Sequence, residues 1–294
     1  MRRFPVDYGL SARMFLTMFL LAAVYLFFGW VLWRLGVSFT GIAFIVGIML
    51  IIQYYFSDHL VLLSTGAREV TPQEAPELHA MVERLAALAN VPKPRVAIVP
   101  TPLPNAFATG RSPSHAVVAV TTGLLERLER HEVEAVLAHE LSHIINRDVA
   151  VMTLASFFAT VASFIVQNFF FFGGFYSDDR EERGSGFLVY LVSLVVWIIS
   201  FFLIQALSRY REFAADRGSA FLTGAPSHLI TALLKISGAM QRIPTRDLRQ
   251  AEALNAFFII PALKGEDLAE LFSTHPSLER RIAYLREIER QMRG

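Results

Sequence analysis

Four long stretches without a charged residue set the first limit on how this chain can fold. Arg13 and Arg34 bracket about 20 uncharged, mostly apolar residues, enough to cross a hydrocarbon core of roughly 30 Å as a helix. A second stretch runs from Leu35 to Ser57, with Gln53, Tyr54 and Tyr55 near its end as residues suited to an interface. The third runs from Val149 to Ser177, interrupted by Gln167 and Asn168, and the fourth from Gly184 to Ser208. Of 294 residues, 54% are hydrophobic and only 18% are charged, where a soluble domain carries about a quarter charged. The excess lies in these blocks, which predicts a mainly α integral membrane protein with four transmembrane helices. One block alone also fits a buried core helix; four together do not suit a soluble chain.

The blocks divide the chain. Residues 1–57 carry two N-terminal spans, 58–148 are polar, 149–208 form a membrane hairpin, and 209–294 are polar and helical. Met1-Arg2-Arg3 resembles the basic start of a signal peptide. The apolar part that follows is too long for one and a second span comes soon after, so the expectation is a retained anchor. Arg2, Arg3 and Arg13 precede the first span, and Arg209, Arg211 and Arg217 follow the fourth. Arg180 and Arg183, between the last two spans, are diluted by Asp178, Asp179, Glu181 and Glu182. Basic residues favour the cytoplasmic side, so the N-terminus and both polar segments are expected there.

A net charge of +1 without a basic run gives no case for nucleic-acid binding. With no cysteine, disulfides, thiolate ligands and cysteine nucleophiles are excluded. A tightly held metal must therefore use His, Asp, Glu or backbone oxygen.

In the first polar segment, Leu78, Met81, Val82, Leu85 and Leu88 recur at helical spacing between Thr71 and Asn90. Arg95–Val99 and Ser114–Val120 read as short strands, and Pro104–Gly110 between them has turn and loop chemistry. Thr122 opens a helical stretch. In the second polar segment, Ser208–Leu222, Ala225–Met240 and Ser277–Met292 are helix candidates, the last one amphipathic. Facing one side of the membrane, the two segments are expected to make one composite domain.

His139-Glu140-Leu141-Ser142-His143 carries the chemistry. Residues four apart share a helix face, so two imidazoles can hold one zinc ion, and Glu140 beside them can take a proton from water held there. Catalytic zinc usually takes a third protein ligand and leaves one position open. Glu212, in Ser208-Arg209-Tyr210-Arg211-Glu212-Phe213-Ala214-Ala215-Asp216, is the strongest candidate, since a returning hairpin can set it against the two histidines. Asp216 shares its helix face and can accept a hydrogen bond from a ligand imidazole. The plain alternative is a solvated pair of acids balancing Arg209, Arg211 and Arg217.

Together these motifs resemble the HtpX-type membrane zinc metalloproteases, relatives of the CAAX prenyl proteases. The resemblance extends to Asn105-Ala106-Phe107-Ala108-Thr109-Gly110 and to Thr274-His275-Pro276-Ser277-Leu278-Glu279-Arg280-Arg281-Ile282. It implies a cytoplasmic α+β zincin-like (gluzincin) protease domain with a small sheet. It also implies one Zn2+ per chain on His139, His143 and Glu212, and Glu140 as general base. The implied setting is a bacterial-type inner membrane, and the implied work is quality control of misfolded membrane proteins.

Peptide hydrolysis also needs a donor for the oxyanion. His275, held before a proline, is the candidate, with a turn leading into a helix as its plain alternative. Arg209 is the runner-up, more readily a structural partner of Asp148 or Asp216. His115–Val120 is expected to be an edge strand beside the metal helix, binding an extended peptide through His115, Val117 and Ala119. Asn105 and Ala106 are expected to help hold its backbone, although ordinary sheet and turn structure explains these residues equally. Partners are then the bilayer and unfolded or membrane protein substrates, with no reading of oligomeric state. The rival functions are a prenyl-protein-type protease, an intramembrane site-2-type protease, and a non-catalytic membrane scaffold.

Overall fold

The computed structural model describes residues 7–35, 40–168, 180–240, 242, 259 and 274–293. Met1–Arg3 and residues 169–179, the end of the third apolar block and the first two residues after it, lie outside them. The first block forms α1 (Tyr8–Arg34), capped by Asp7, whose carboxylate accepts the Leu10 N–H at 2.9 Å. The second forms α2 (Thr40–Tyr55), and a short α3 (Ser57–Thr65) follows. Among the described residues three helices are long and apolar enough to cross a membrane: Tyr8–Arg34, Asp148–Asn168 and Gly186–Thr223. The second apolar block contributes a shorter apolar helix, Ala43–Tyr55, beside these three. At 16 residues α2 is roughly 24 Å long, short of a full hydrocarbon core.

The membrane helices pack through Phe28, Leu32, Val46, Val161, Ala162, Val189 and Val196, while Phe15, Phe19, Trp30, Trp33 and Phe44 point outward. Apolar side chains exposed in that number are tolerated where the surroundings are lipid. Tyr25 donates to the Ala155 carbonyl at 2.6 Å, which satisfies its hydroxyl inside the bundle.

The polar half is built on a four-stranded sheet: β1 (Arg68–Glu69), β2 (Arg95–Val99), β3 (Ala106–Thr109) and β4 (Val117–Thr121), in the order β1-β2-β4-β3. β2 and β4 run parallel with Arg95 opposite Val117, and β3 pairs antiparallel with β4, Ala106 opposite Val120. Two expectations change here. The stretch read as a loop contains β3, and β3 is an edge strand, as is β1 on the other side. β4 is interior, paired on both sides, so His115–Val120 is not an edge.

Helix α4 (Pro76–Ala89) and the metal-motif helix α6 (Arg130–Ile145) cover one face of the sheet, burying Leu85, Val96, Val118, Val120, Val136 and Leu137. The short α5 (Thr122–Leu125) joins β4 to α6. A capping box starts α6: Glu132 accepts the Glu129 N–H while the Glu129 side chain accepts from the Glu132 backbone. It ends at Ile145, and α7 (Asp148–Asn168) enters the membrane after a two-residue corner. The return is α8 (Arg180–Thr223), 44 residues without a break, so the fourth apolar block and the polar segment after Ser208 form one helix. Helices α9 (Pro226–Met240) and α10 (Leu278–Arg293) close the core with Leu229, Leu233, Ile236 and Leu285.

Candidate metal centre

Two helices supply the centre. On α6, His139 and His143 stand one turn apart, with Nε2 atoms 3.2 Å from each other. On α8, Glu212 brings Oε1 to 3.4 Å from His143 Nε2 and Oε2 to 3.7 Å from His139 Nε2. One donor atom from each lies within 4.8 Å of the others, a group able to hold a metal ion. His139 is 1% exposed and Glu212 6%.

A carboxylate stands behind each imidazole. Asp216 Oδ1 is 3.0 Å from His139 Nδ1, and Asp148 Oδ2 is 2.5 Å from His143 Nδ1. An ionised carboxylate only accepts, so both Nδ1 atoms carry the proton and both Nε2 lone pairs face one another. Two lone pairs at 3.2 Å beside a buried carboxylate are favourable only with a cation among them. Nitrogens sharing one tetrahedral zinc at bond lengths of about 2.0–2.1 Å would stand roughly 3.3 Å apart, so the residues fit that ion. Burial pushes the His139 pKa down, assisted by the charge of Arg281, and the neutral imidazole is the form a metal requires.

Glu140 points into the same cleft of about 410 Å³. Burial raises its carboxyl to about 7 and the Glu212 charge adds to this, while His143 and the Ala108 N–H that it accepts work against the rise. His275 lines the cleft, with Nδ1 3.2 Å from Glu212 Oε2.

The two helices meet closely because Gly218 on α8 faces Ser142 on α6. A Cβ at Gly218 would stand 2.2 Å from Ser142 Oγ and 2.7 Å from its Cβ. Gly218→Ala is therefore expected to cost about 1–3 kcal/mol through overpacking, read as a lower thermal midpoint in detergent. Ser142→Gly in the same chain should restore the midpoint. An unchanged midpoint in the single variant would show slack between the helices that the geometry denies.

Residues 72–289 match the model for peptidase family M48. The chain belongs to that family. It is 72% identical over 293 residues to a protease HtpX homolog of Moorella thermoacetica, covering 99% of this chain and 98% of the relative. It is 56% identical over 291 residues to protease HtpX homolog 2 of Methanosarcina acetivorans, covering 99% of each. The fold is also similar to the crystal structure of S. mikatae Ste24p, with TM-score 0.57 and 18% identity over 94% of this chain; this chain spans 66% of that longer one. It is thus a metalloprotease with membrane helices.

Several site assignments change within this M48 peptidase. Asp148 pairs with Arg211 at 2.5 Å, and Asp216 pairs with Arg281 at 2.6 Å. Asn105 is turned inward, its Oδ1 accepting the Ile259 N–H at 3.0 Å, and it is absent from the cleft wall. His115 is exposed in a turn with its Nδ1 against Ser112 and Ser114. Val117 and Ala119 lie on the far face of β4 and pack with Val61, Ala97 and Phe107, because alternate strand residues take opposite faces. Ala106 does line the cleft.

Arg281 was given no role by its sequence context alone. It is 2% exposed; Nε and Nη2 hold Asp216 at 2.9 and 2.6 Å, Nη1 donates to the Ile259 carbonyl at 2.6 Å, and Nη1 lies 3.4 Å from Glu212. A signal existed: position 281 falls on the same helical face as Leu278, Leu285 and Ile288, where an arginine must have a buried partner.

Proposed function

We propose that this metalloprotease is a zinc-dependent endopeptidase that cleaves unfolded or membrane proteins at the cytoplasmic face of an inner membrane, in protein quality control. The observation that carries the reading is the joint placement of His139, His143 and Glu212 from two helices, with Glu140 in the same cleft. His139, His143 and Glu212 would hold one zinc ion per chain, which would supply a Lewis acid for the scissile carbonyl and the attacking water. Glu140 takes the proton from that water and passes it to the leaving amine. His275, on the cleft wall beside Glu212, donates to the developing oxyanion.

The outer edge of β3 provides the peptide-binding line. Asn105 accepts the Thr121 N–H at 2.9 Å and donates to its hydroxyl, so Asn105 faces β4. Alternation then turns the amides of Ala106 and Ala108 toward α6, and Glu140 accepts the one at Ala108. An extended segment pairing with this edge is held by its backbone, which suits a protease acting on unfolded chains of any sequence. The basic residues flanking the spans support the cytoplasmic side, and Glu132 and Glu134 on α6 oppose an intramembrane site.

The test is metal content and digestion of an unfolded protein by the purified chain in detergent. Glu212→Ala should lose nearly all its zinc and its activity, since two imidazoles remain of three ligands. Equal zinc in the parent and this variant would remove Glu212 as a ligand. A zinc-loaded parent that digests nothing would leave the non-catalytic scaffold as the better reading.

A further inference from the structure

The corner between α6 and α7 holds a residue that the catalytic reading leaves unused. Arg147 has φ 54, a left-handed backbone conformation suited to glycine or asparagine. The only other described non-glycine residue with positive φ is Asn90, a helix cap. Asn146, which tolerates that conformation better, stands one residue earlier in right-handed backbone. A strained arginine is a reason to ask what its side chain does.

That side chain lines the catalytic cleft and is exposed. Among the described residues no carboxylate pairs with it. Its neighbour Asp148 is taken by His143 and by Arg211. On the other wall, just past the β3 edge, Arg111 also lines the cleft and lies over the Tyr55 ring at 5.3 Å. The acids at the centre of the cleft are committed: Glu212 to the metal group, Asp216 to Arg281, and Glu140 to chemistry. The cleft wall therefore carries three arginines, Arg111, Arg147 and Arg211; Arg211 is buried against Asp148, and Arg147 has no carboxylate partner among the described residues. It stands in the corner just past the end of α6, four residues beyond His143 in the chain.

We infer that Arg147 sets specificity in this cleft: its guanidinium accepts an acidic side chain of the substrate one to three residues from the cleaved bond and disfavours a basic one there. The inference rests on the protease reading above. It runs against the flanks of correctly inserted membrane proteins, whose cytoplasmic ends are rich in Lys and Arg. Like charges across a contact repel and opposite charges attract, so the preference is double-sided.

The test uses the full zinc-loaded chain in a neutral detergent with internally quenched peptides, acetylated and amidated so that no terminal charge intervenes. At each of the three positions on either side of the cleaved bond the peptides carry Glu, Gln or Lys. At one position the parent should cleave in the order Glu, Gln, Lys, with kcat/KM for Glu over Lys roughly tenfold, shrinking at high salt. Arg147→Glu should reverse the order. Arg147→Gly, which suits the backbone and removes the charge, should flatten it; the readout is the ratio of Glu, Gln and Lys peptides within each chain. A parent that cleaves the Gln peptide without any order at any position overturns the inference alone. So does an order that survives in Arg147→Gly; the arginine then serves the membrane surface as an anchor. A parent that cleaves none of the peptides removes the protease reading and this one with it.

Discussion

Glu140→Gln will keep its zinc and lose roughly 10²–10⁴-fold in kcat/KM on an unfolded protein, the usual worth of a positioned general base. Glutamine has the shape of glutamate and still accepts the Ala108 N–H through its carbonyl, but it cannot take up a proton. Glu140 is outside the group of His139, His143 and Glu212, so metal content should not follow activity down. Activity within a few-fold of the parent, at equal zinc, would mean that another group deprotonates the water. The same residue sets an acid limb. Glu140 must be ionised to act, and burial raises its carboxyl to about 7 before any cation is present. A bound dication draws it back, so kcat/KM should fall as pH drops through a range between about 7 and the ordinary carboxylate value. In the metal-free chain the raised value works on stability. Its contribution is complete below the unfolded carboxylate pKa and is lost as pH rises through about 7. The parent should therefore lose thermal midpoint between pH 5 and pH 8 relative to Glu140→Gln, and parallel behaviour of the two would contradict the burial argument.

Arg281→Met is expected to destabilise the chain by about 3–5 kcal/mol, because it leaves Asp216 buried without its guanidinium partner. Methionine fills similar length with no charge, so lost packing contributes little. Zinc affinity should fall about 10–100-fold as well, since Asp216 orients His139 and Arg281 neighbours Glu212. Arg281→Lys keeps the charge but cannot bond both Asp216 oxygens and the Ile259 carbonyl from one planar fork, so it should fall in between. Asp216→Asn added to Arg281→Met should recover much of the stability, because the buried charge goes with its partner. If Arg281→Met melts with the parent and holds zinc equally, Arg281 is no support of the centre.

What was legible beforehand follows the range of the interactions. Helix α4, strand β2 and helix α6 are written in apolar spacing within a dozen residues. Strand β3 was not, because Ala-Phe-Ala-Thr is short and takes its identity from pairing with β4. The apolar block that ends at Ser208 and the polar stretch after it form one helix, since a helix continues through a change of polarity when its backbone bonds continue. His139, His143 and Glu140 were visible as one turn of helix, and Glu212 as an acid at the polar end of an apolar stretch. The buried salt links Arg211–Asp148 and Arg281–Asp216 were not, because each joins residues more than 60 apart in the chain.

By itself the amino-acid order determined that this protein has membrane helices and that a His-Glu-x-x-His helix is its candidate metal site, since local periodicity and local spacing suffice for both. Only the tertiary structure decided that β3 and not β4 lies at the edge, which arginines hold the acids, and that Arg147 lines the cleft. Those are outcomes of pairing between distant segments and of desolvation, which no stretch of sequence contains.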